Sequence, residues 1–326
     1  MKIIYLQILF ISFFFAWLAG SGFYGFGVDF YGSYYQSNIF RDGYTDRLGW
    51  MLSTLTIYKV HVGVYLVSFL LAISTGLLLV KTTYRYFGKN KLVFLAYYIM
   101  LLHTWPIIMS TSNGMRQGVA MSFLFLALYF LLSKRYFLYL ISIGLVVVSH
   151  NSGILLVLLL AGVNIYNNQI QKWFNSSIDC RKLLVITGFL MATILYILVP
   201  LIFNNHEDSY IIAGDYRYPF LMINTVYILI YAKYLFIKSD QMDIFLLACS
   251  FIFPVFLFHG FNWEYERLNM IILILYMISF SKITLNIDKK NTLLFPAVQL
   301  FPVALLLSTM LLLFMTIYTG MYTALK

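Results

Sequence analysis

Residues 61–80 read HVGVYLVSFLLAISTGLLLV, and residues 81–91 follow as KTTYRYFGKNK. The first stretch carries no Asp, Glu, Lys or Arg and has His61 at its very start, and it has about the 20 residues that a helix needs to cross a hydrocarbon core. The second holds Lys81, Arg85, Lys89 and Lys91. In lipid every backbone N–H and C=O must find a partner inside the segment, so an apolar run of this length predicts a helix. The basic cluster behind it marks a cytoplasmic end, because Lys and Arg collect in short cytoplasmic loops.

The same pattern repeats outward in both directions. Of the 326 residues, 62% are hydrophobic and only 10% are charged, and the mean hydropathy is +0.84. A soluble protein carries charge on about a quarter of its residues. These values exclude a soluble enzyme, a disordered tail and a disulfide-stapled secreted domain. A transmembrane barrel is excluded too, since its strands alternate apolar and polar residues. Spans are predicted at 3–23, 61–80, 92–109, 117–133, 137–150, 154–166, 183–203, 221–237, 244–259, 268–280 and 297–318. The first follows Lys2 and is longer than a signal-peptide core, so it reads as a retained anchor. The fold class is therefore all-α: a polytopic integral membrane protein of about eleven transmembrane helices, ten to twelve, in one membrane domain over 1–326.

Charge orients the chain. The loops 81–91, 133–136 and 167–182, with Lys2, Lys233, Lys238, Lys282, Lys289 and Lys290, lie on one side by parity, which places the N-terminus in the cytoplasm. The net charge of +10 then follows from topology and needs no nucleic-acid partner. Cys180 falls in a basic loop and Cys249 in an apolar run, so no disulfide is expected. On the opposite side lie Arg41, Arg47, Arg116, Arg217 and Arg267, together with acids that include Asp29, Asp215, Glu264 and Glu266. Arginine stands there against the topology rule, and its fork suits bidentate contact with phosphate.

Two outer stretches look like more than connectors. Residues 24–60 run through Asp29, Tyr31, Tyr34, Tyr35, Arg41 and Arg47, and Leu48, Met51, Leu52 and Leu55 follow helical spacing. This predicts an outer amphipathic or re-entrant helix in the membrane interface. Residues 204–220, NNHEDSYIIAGDYRYPF, mix acids, one Arg, one His and several Tyr.

Familiar signatures fail on context. GSGFYG at 20–25 matches the dinucleotide pattern in letters, but it ends a membrane helix and has no strand before it. His206-Glu207-Asp208 reads as a solvated loop, and no metal or other cofactor is expected.

Local chemistry concentrates at a few places. Ser112-Asn113-Gly114-Met115-Arg116-Gln117 closes an outer turn and opens a helix, with Arg116 in its first turn. A cation there opposes the helix dipole unless something anionic pairs with it. Either an outer carboxylate serves, or the amides and Arg116 form an anion site. His150, in Ser149-His150-Asn151-Ser152, is suited to accept a proton from a sugar hydroxyl, or else it caps and packs its helix. His103 sits deep in an apparent span before Trp105-Pro106, as a functional residue or a buried hydrogen-bonded one. Asp215-Tyr216-Arg217-Tyr218 and Asn262-Trp263-Glu264-Tyr265-Glu266-Arg267 set charge among aromatic rings, which fits sugar faces and pyrophosphate or a plain interfacial belt.

Taken together, the chain from about residue 20 to 280 resembles the EpsG-like/Wzy-type family of bacterial polysaccharide polymerases. The resemblance rests on Asp29 with its Tyr run, on the pair Arg116-Gln117 opening a helix, on His150 followed by Asn-Ser, and on Arg267 leading to Tyr276. Arg41-Asp42-Gly43-Tyr44 stands where a Glu-Pro-Gly-Tyr-like element would be expected. The resemblance implies transfer of a growing glycan from undecaprenyl pyrophosphate to a lipid-linked repeat unit at the outer face of the cytoplasmic membrane, without nucleotide sugar. Its partners would be that lipid-linked oligosaccharide, the bilayer and a chain-length regulator. A diphosphate leaving group calls for paired Arg donors. Arg116 with Arg217 or Arg267 would supply them, and His150 would be the base, with Asp29 or Glu264 as substitutes. Gln117, Arg41, Arg47, Tyr216, Trp263 and His103 complete the candidate substrate-binding set. The competing readings are an O-antigen ligase or membrane acyltransferase, and a flippase or transporter of lipid-linked oligosaccharide.

Overall fold

The computed structural model describes residues 2–27, 30–35, 47–57, 60–87, 90–165, 177–202, 216–233, 240–286 and 295–318. Its elements are α1 (Lys2–Gly20), α2 (Arg47–Ser53), α3 (Val62–Thr83), α4 (Lys91–Leu102), α5 (Trp105–Ser112), α6 (Met115–Leu132), α7 (Tyr136–Val147) and α8 (Gly153–Ile165). They continue as α9 (Ser177–Ile202), α10 (Arg217–Lys233), α11 (Gln241–Phe258), α12 (Asn262–Asn286) and α13 (Phe295–Tyr318). A single π-helical turn, Phe30–Tyr35, lies between α1 and α2, and a two-residue hairpin, β1 (Thr56–Ile57) with β2 (Val60–His61), joins α2 to α3.

The predicted spans fall on helices, 92–109 on two of them, and the chain is an all-α polytopic membrane protein. Lys2–Gly20, Val62–Tyr86, Met115–Leu132 and Gln241–Phe258 are long and apolar enough to cross a membrane alone. Lys91–Leu102 with Trp105–Ser112 makes a fifth as a bent pair, and shorter apolar helices include Tyr136–Val147 and Gly153–Ile165. Side chains on α1 show the solvent that this surface expects. Ile4, Ile8, Phe15 and Ala19 are buried, whereas Leu6, Phe10, Phe13 and Trp17 are exposed, Phe10 at 74%. A stripe of exposed aromatic and aliphatic groups this large is a liability in water and ordinary against lipid.

The predicted span 92–109 is not straight. It breaks at His103-Thr104, with an angle of 52° between α4 and α5. Pro106 has no N–H to give to the carbonyl four residues back, and its ring disfavours helical geometry at the residue before it. The Thr104 hydroxyl instead donates to the Leu101 carbonyl at 2.6 Å. His103 closes the end of α4: its Nδ1–H donates to the Ile99 carbonyl at 2.8 Å, so its Nε2 accepts the Tyr24 hydroxyl, also at 2.8 Å.

The structure divides into two compact units, Met1–Val157 with Phe280–Lys326, and Leu158–Ser279. In the first, α3 packs on α1 and α6, α6 on α7, and α2 lies against α6 and α3. The Tyr98 hydroxyl donates to the Ala72 carbonyl at 2.8 Å and meets Ser12 Oγ at 2.9 Å, tying α4, α3 and α1 together. In the second, α11 packs against α9 and α10. Its start is a reciprocal cap: Asp240 accepts from the amides of Met242 and Asp243, and Asp243 accepts from the amide of Asp240. That satisfies amides which a helix N-terminus otherwise leaves without partners.

Candidate functional site

The first unit gathers its chemistry where α2, the start of α6 and the turn between α7 and α8 meet. The α5–α6 turn is reduced to Asn113 and Gly114, whose amides both donate to the Met109 carbonyl, at 3.0 and 2.8 Å. Gly114 is the N-cap and contributes no side-chain acceptor, so the first turn of α6 relies on what surrounds it. Met115 and Gln117 are buried on either side of the half-buried Arg116. The Arg116 guanidinium lies over the Trp50 ring of α2, 4.1 Å from its centroid. A planar, weakly hydrated cation gains from an aromatic face in a way that an ammonium does not match. The ring fixes its position.

Helix α2 is only seven residues long and is held by its neighbours. The Leu48 amide donates to the Val148 carbonyl at 3.0 Å. A Cβ at Gly49 would collide with the Ser149 carbonyl oxygen and press on the Arg116 side chain, so this position admits glycine alone. Gly49 and Ser53 form the buried side of α2, while Met51 is 48% exposed and Leu48, Leu52 and Leu55 are half-buried. Of the stripe foreseen as the helix's apolar face, Met51 is left outward while Leu52 packs inward, and small residues make the closest approach.

Beneath this junction Phe26, Phe30, Tyr34, Val64, Val67, Met115 and Val119 form a buried cluster, with Trp50 and Leu52 packed on it. Phe26 stacks on Phe30 at 4.2 Å, and Tyr34 meets Trp50 at 5.5 Å. The Gly27 amide donates to the Ser112 carbonyl at 3.1 Å, which docks the first outer stretch on the end of α5. His61 stands against Phe30 and its Nε2 reaches the Tyr34 carbonyl at 3.4 Å. Burial lowers the pKa of this imidazole from the ordinary value, with the Tyr34 carbonyl pulling the other way.

His150 sits beyond the end of α7, in the turn that leads to α8, and is 9% exposed. Its Nδ1 lies 2.7 Å from the Ser152 hydroxyl and accepts the Ser152 amide at 3.2 Å. The Gly153 amide closes the turn on the His150 carbonyl at 2.9 Å. Arg116 and the Ser149-His150 turn, separate in sequence, therefore flank the same glycine of α2. Arg47 opens that helix and is exposed. His103 stands apart in the α4–α5 break.

The second unit collects the other two charged clusters. Tyr216 and Arg217 stand at the start of α10, where Arg217 is 5.9 Å from the Tyr218 ring centroid. Glu264, Glu266 and Arg267 lie in the first turns of α12. Phe220 meets Tyr265 edge to face at 6.5 Å, so the two helix starts are neighbours. Burial raises the pKa of the Tyr216 hydroxyl, and the Glu266 carboxylate adds to that shift. Below them runs a polar network. Asn224 donates to Asn269 Oδ1 at 2.9 Å and to the Tyr276 hydroxyl at 3.0 Å, and accepts from the Tyr265 hydroxyl at 2.9 Å. Tyr276 also meets Ser250 Oγ at 2.7 Å, which brings in α11.

Asp29 and Arg41 lie outside the described residues, as do 203–215 and the side chain of Trp263. Gly49, Trp50, Asn224 and Asn269 were not singled out from sequence. A glycine inside a short helical pattern and asparagines inside apolar runs were the available signals.

Compared with known protein families, residues 4–323 match the one described as the EpsG family. The chain belongs to the EpsG family. No curated protein and no solved structure matched it. EpsG-family membership over nearly the whole length makes this a polysaccharide polymerase-like membrane protein, glycosyltransferase-like in its chemistry.

Proposed function

We propose that this EpsG-family protein lengthens a polysaccharide at the outer face of the cytoplasmic membrane, moving a growing glycan from undecaprenyl pyrophosphate onto a lipid-linked repeat unit. The observation that carries the reading is the junction in the first unit. There an Arg in the first turn of a helix is fixed over Trp50 and shares Gly49 with the His150 turn. Both groups stand at helix ends that the charge pattern assigns to the outer side.

In this reaction the bond between the sugar's anomeric carbon and the diphosphate oxygen breaks, and the electron pair leaves with the diphosphate. The acceptor hydroxyl oxygen bonds to the anomeric carbon and gives its proton to a nearby base. Charge grows on the leaving diphosphate, and a pre-oriented guanidinium with helix amides stabilises it most where water is excluded. Arg116 supplies that group. His150 is the first candidate to take the proton, which requires it within about 3 Å of the hydroxyl.

Arg116→Ala should abolish chain lengthening while protein level and membrane insertion persist. Cells would then carry a single repeat unit where the wild type makes a ladder, read on a gel of surface glycan. A ladder of normal length would refute the assignment of Arg116. Purified protein given lipid-linked repeats separates the other readings, because a transporter moves them without forming new glycosidic bonds.

A further inference from the structure

We infer that the groove between α1 and α4 holds one anionic phospholipid of the cytoplasmic leaflet, its acyl chain on Phe10, Phe13 and Leu95 and its phosphate on Lys2 and Lys91. The site lies apart from the Arg116 junction and does not depend on the polymerase reading.

Helices α1 and α4, both in the first unit, run side by side in the same direction. Ser12 meets Tyr98 at 2.9 Å, and further along Phe15 and Tyr24 both meet His103. Their first residues, Lys2 and Lys91, therefore stand at the same end, the one that the charge pattern assigns to the cytoplasm. Just inside that end lies a groove of about 600 Å³ whose walls include Leu6, Gln7, Leu9, Phe10, Phe13 and Leu95. Small-molecule sites have about this size, roughly 300–1,000 Å³. Gln7 is its one polar wall.

The spacing suits a phospholipid. Lys2 stands one helical turn before Leu6, and Lys91 one turn before Leu95. At about 1.5 Å of rise per residue, each lysine lies about 6 Å outside the groove. The headgroup layer on each side of the hydrocarbon is about 5–8 Å deep. A chain that fills the groove thus carries its phosphate to the level of the two ammonium groups.

These charges stand without acids. No Asp or Glu occurs in residues 1–28 or 47–178, and neither lysine has an ion-pair partner among the described residues. Both helices open on a lysine with no acid in the first turn, so each cation also opposes a helix dipole. A phosphate between them relieves both conflicts. Basic cytoplasmic ends are common, so charge alone does not make a site. Gln7 is the independent sign. Its Oε1 is buried, and it has no hydrogen-bond partner among the described residues. An amide left this way among apolar groups costs free energy. The esters and glycerol of a phospholipid lie between its phosphate and its chains, where this amide can meet them as donor or acceptor.

The test uses the full-length protein in detergent, stripped of lipid. Dioleoyl phosphatidylglycerol or dioleoyl phosphatidylcholine is added, and bound lipid is counted by native mass spectrometry. One phosphatidylglycerol should be held about tenfold or more tighter than phosphatidylcholine. Lys2→Gln combined with Lys91→Gln should weaken it about thirtyfold, about fivefold for each lysine beside an anionic lipid. Gln7→Leu keeps every charge and should weaken it about fivefold, the loss of one hydrogen bond. Lys134→Gln combined with Arg135→Gln, in the α6–α7 turn, should leave binding as in the wild type. The inference fails if both lipids bind alike, or if Gln7→Leu binds like the wild type. It fails too if the Lys134 and Arg135 substitutions weaken binding as much as those at Lys2 and Lys91, which would show a diffuse field. Displacement of the lipid by inorganic phosphate would mark a free-anion site and likewise overturn it.

Discussion

Gly49 shows how little room separates the groups at the junction. Alanine normally favours a helix over glycine by about 1 kcal/mol, so Gly49→Ala ought to strengthen α2 if only the helix mattered. Its Cβ instead meets the Ser149 carbonyl oxygen and the Arg116 side chain, and something has to shift. A displacement of about 1 Å near reacting groups costs about 10²-fold in rate. Gly49→Ala should therefore cut lengthening by about that factor with normal amounts of protein in the membrane. A wild-type ladder from this variant would mean that the junction tolerates displacement. Trp50 belongs to the same argument, since its ring is the surface on which the Arg116 guanidinium rests. Neither residue has a pattern that periodicity can reveal, because each acts on residues far away in the chain.

At the scale of the helix, polar side chains inside apolar runs do the fastening. Asn224 is 1% exposed and joins α10 to Asn269, Tyr265 and Tyr276 of α12. Asn224→Ala leaves the Tyr265 hydroxyl and Asn269 Oδ1 short of a partner, at about 1–3 kcal/mol for each buried orphan. The expected outcome is a lower midpoint of thermal unfolding in detergent, with Thr225→Ala, on the exposed side, as the neutral control. An unchanged midpoint would show that the network contributes nothing net. The helices themselves were legible beforehand, because lipid demands a long apolar run wherever the chain crosses it. Their pairing was not, since interhelical hydrogen bonds leave no period in either helix. The α4–α5 break stands between these cases. Trp105-Pro106 marks the place, yet 92–109 as a whole stays apolar enough to read as one span.

Across the whole molecule, the decisive expectation is that Arg116 and Arg217 face the same side of the bilayer. The charge pattern puts both on the side away from Lys81, Arg85, Lys134 and Arg135. Fusions of a compartment-sensitive reporter after residues 113 and 216 should report the outer side, and a fusion after 134 the cytoplasmic side. Opposite locations for the first two would end the diphosphate assignment. The structure groups Arg116 with His150 in one unit and Tyr216, Arg217 and Glu266 in the other, a division that the charge clusters of the sequence do not announce. Their common purpose rests on topology and on EpsG-family membership.

The brevity of α7 and α8, 12 and 13 residues, has a further consequence. At 1.5 Å of rise per residue, α7 is about 18 Å long, well under the about 30 Å of a typical hydrocarbon layer. Thinning of the bilayer around so short a pair is one response that membranes make to mismatch. Headgroups and water would then dip toward the turn that carries His150, and a prenyl carrier could deliver its polar end into this depression without being lifted out of the leaflet. Reconstitution into lipids of increasing acyl length should slow lengthening, and a rate indifferent to membrane thickness would argue that no such hollow forms.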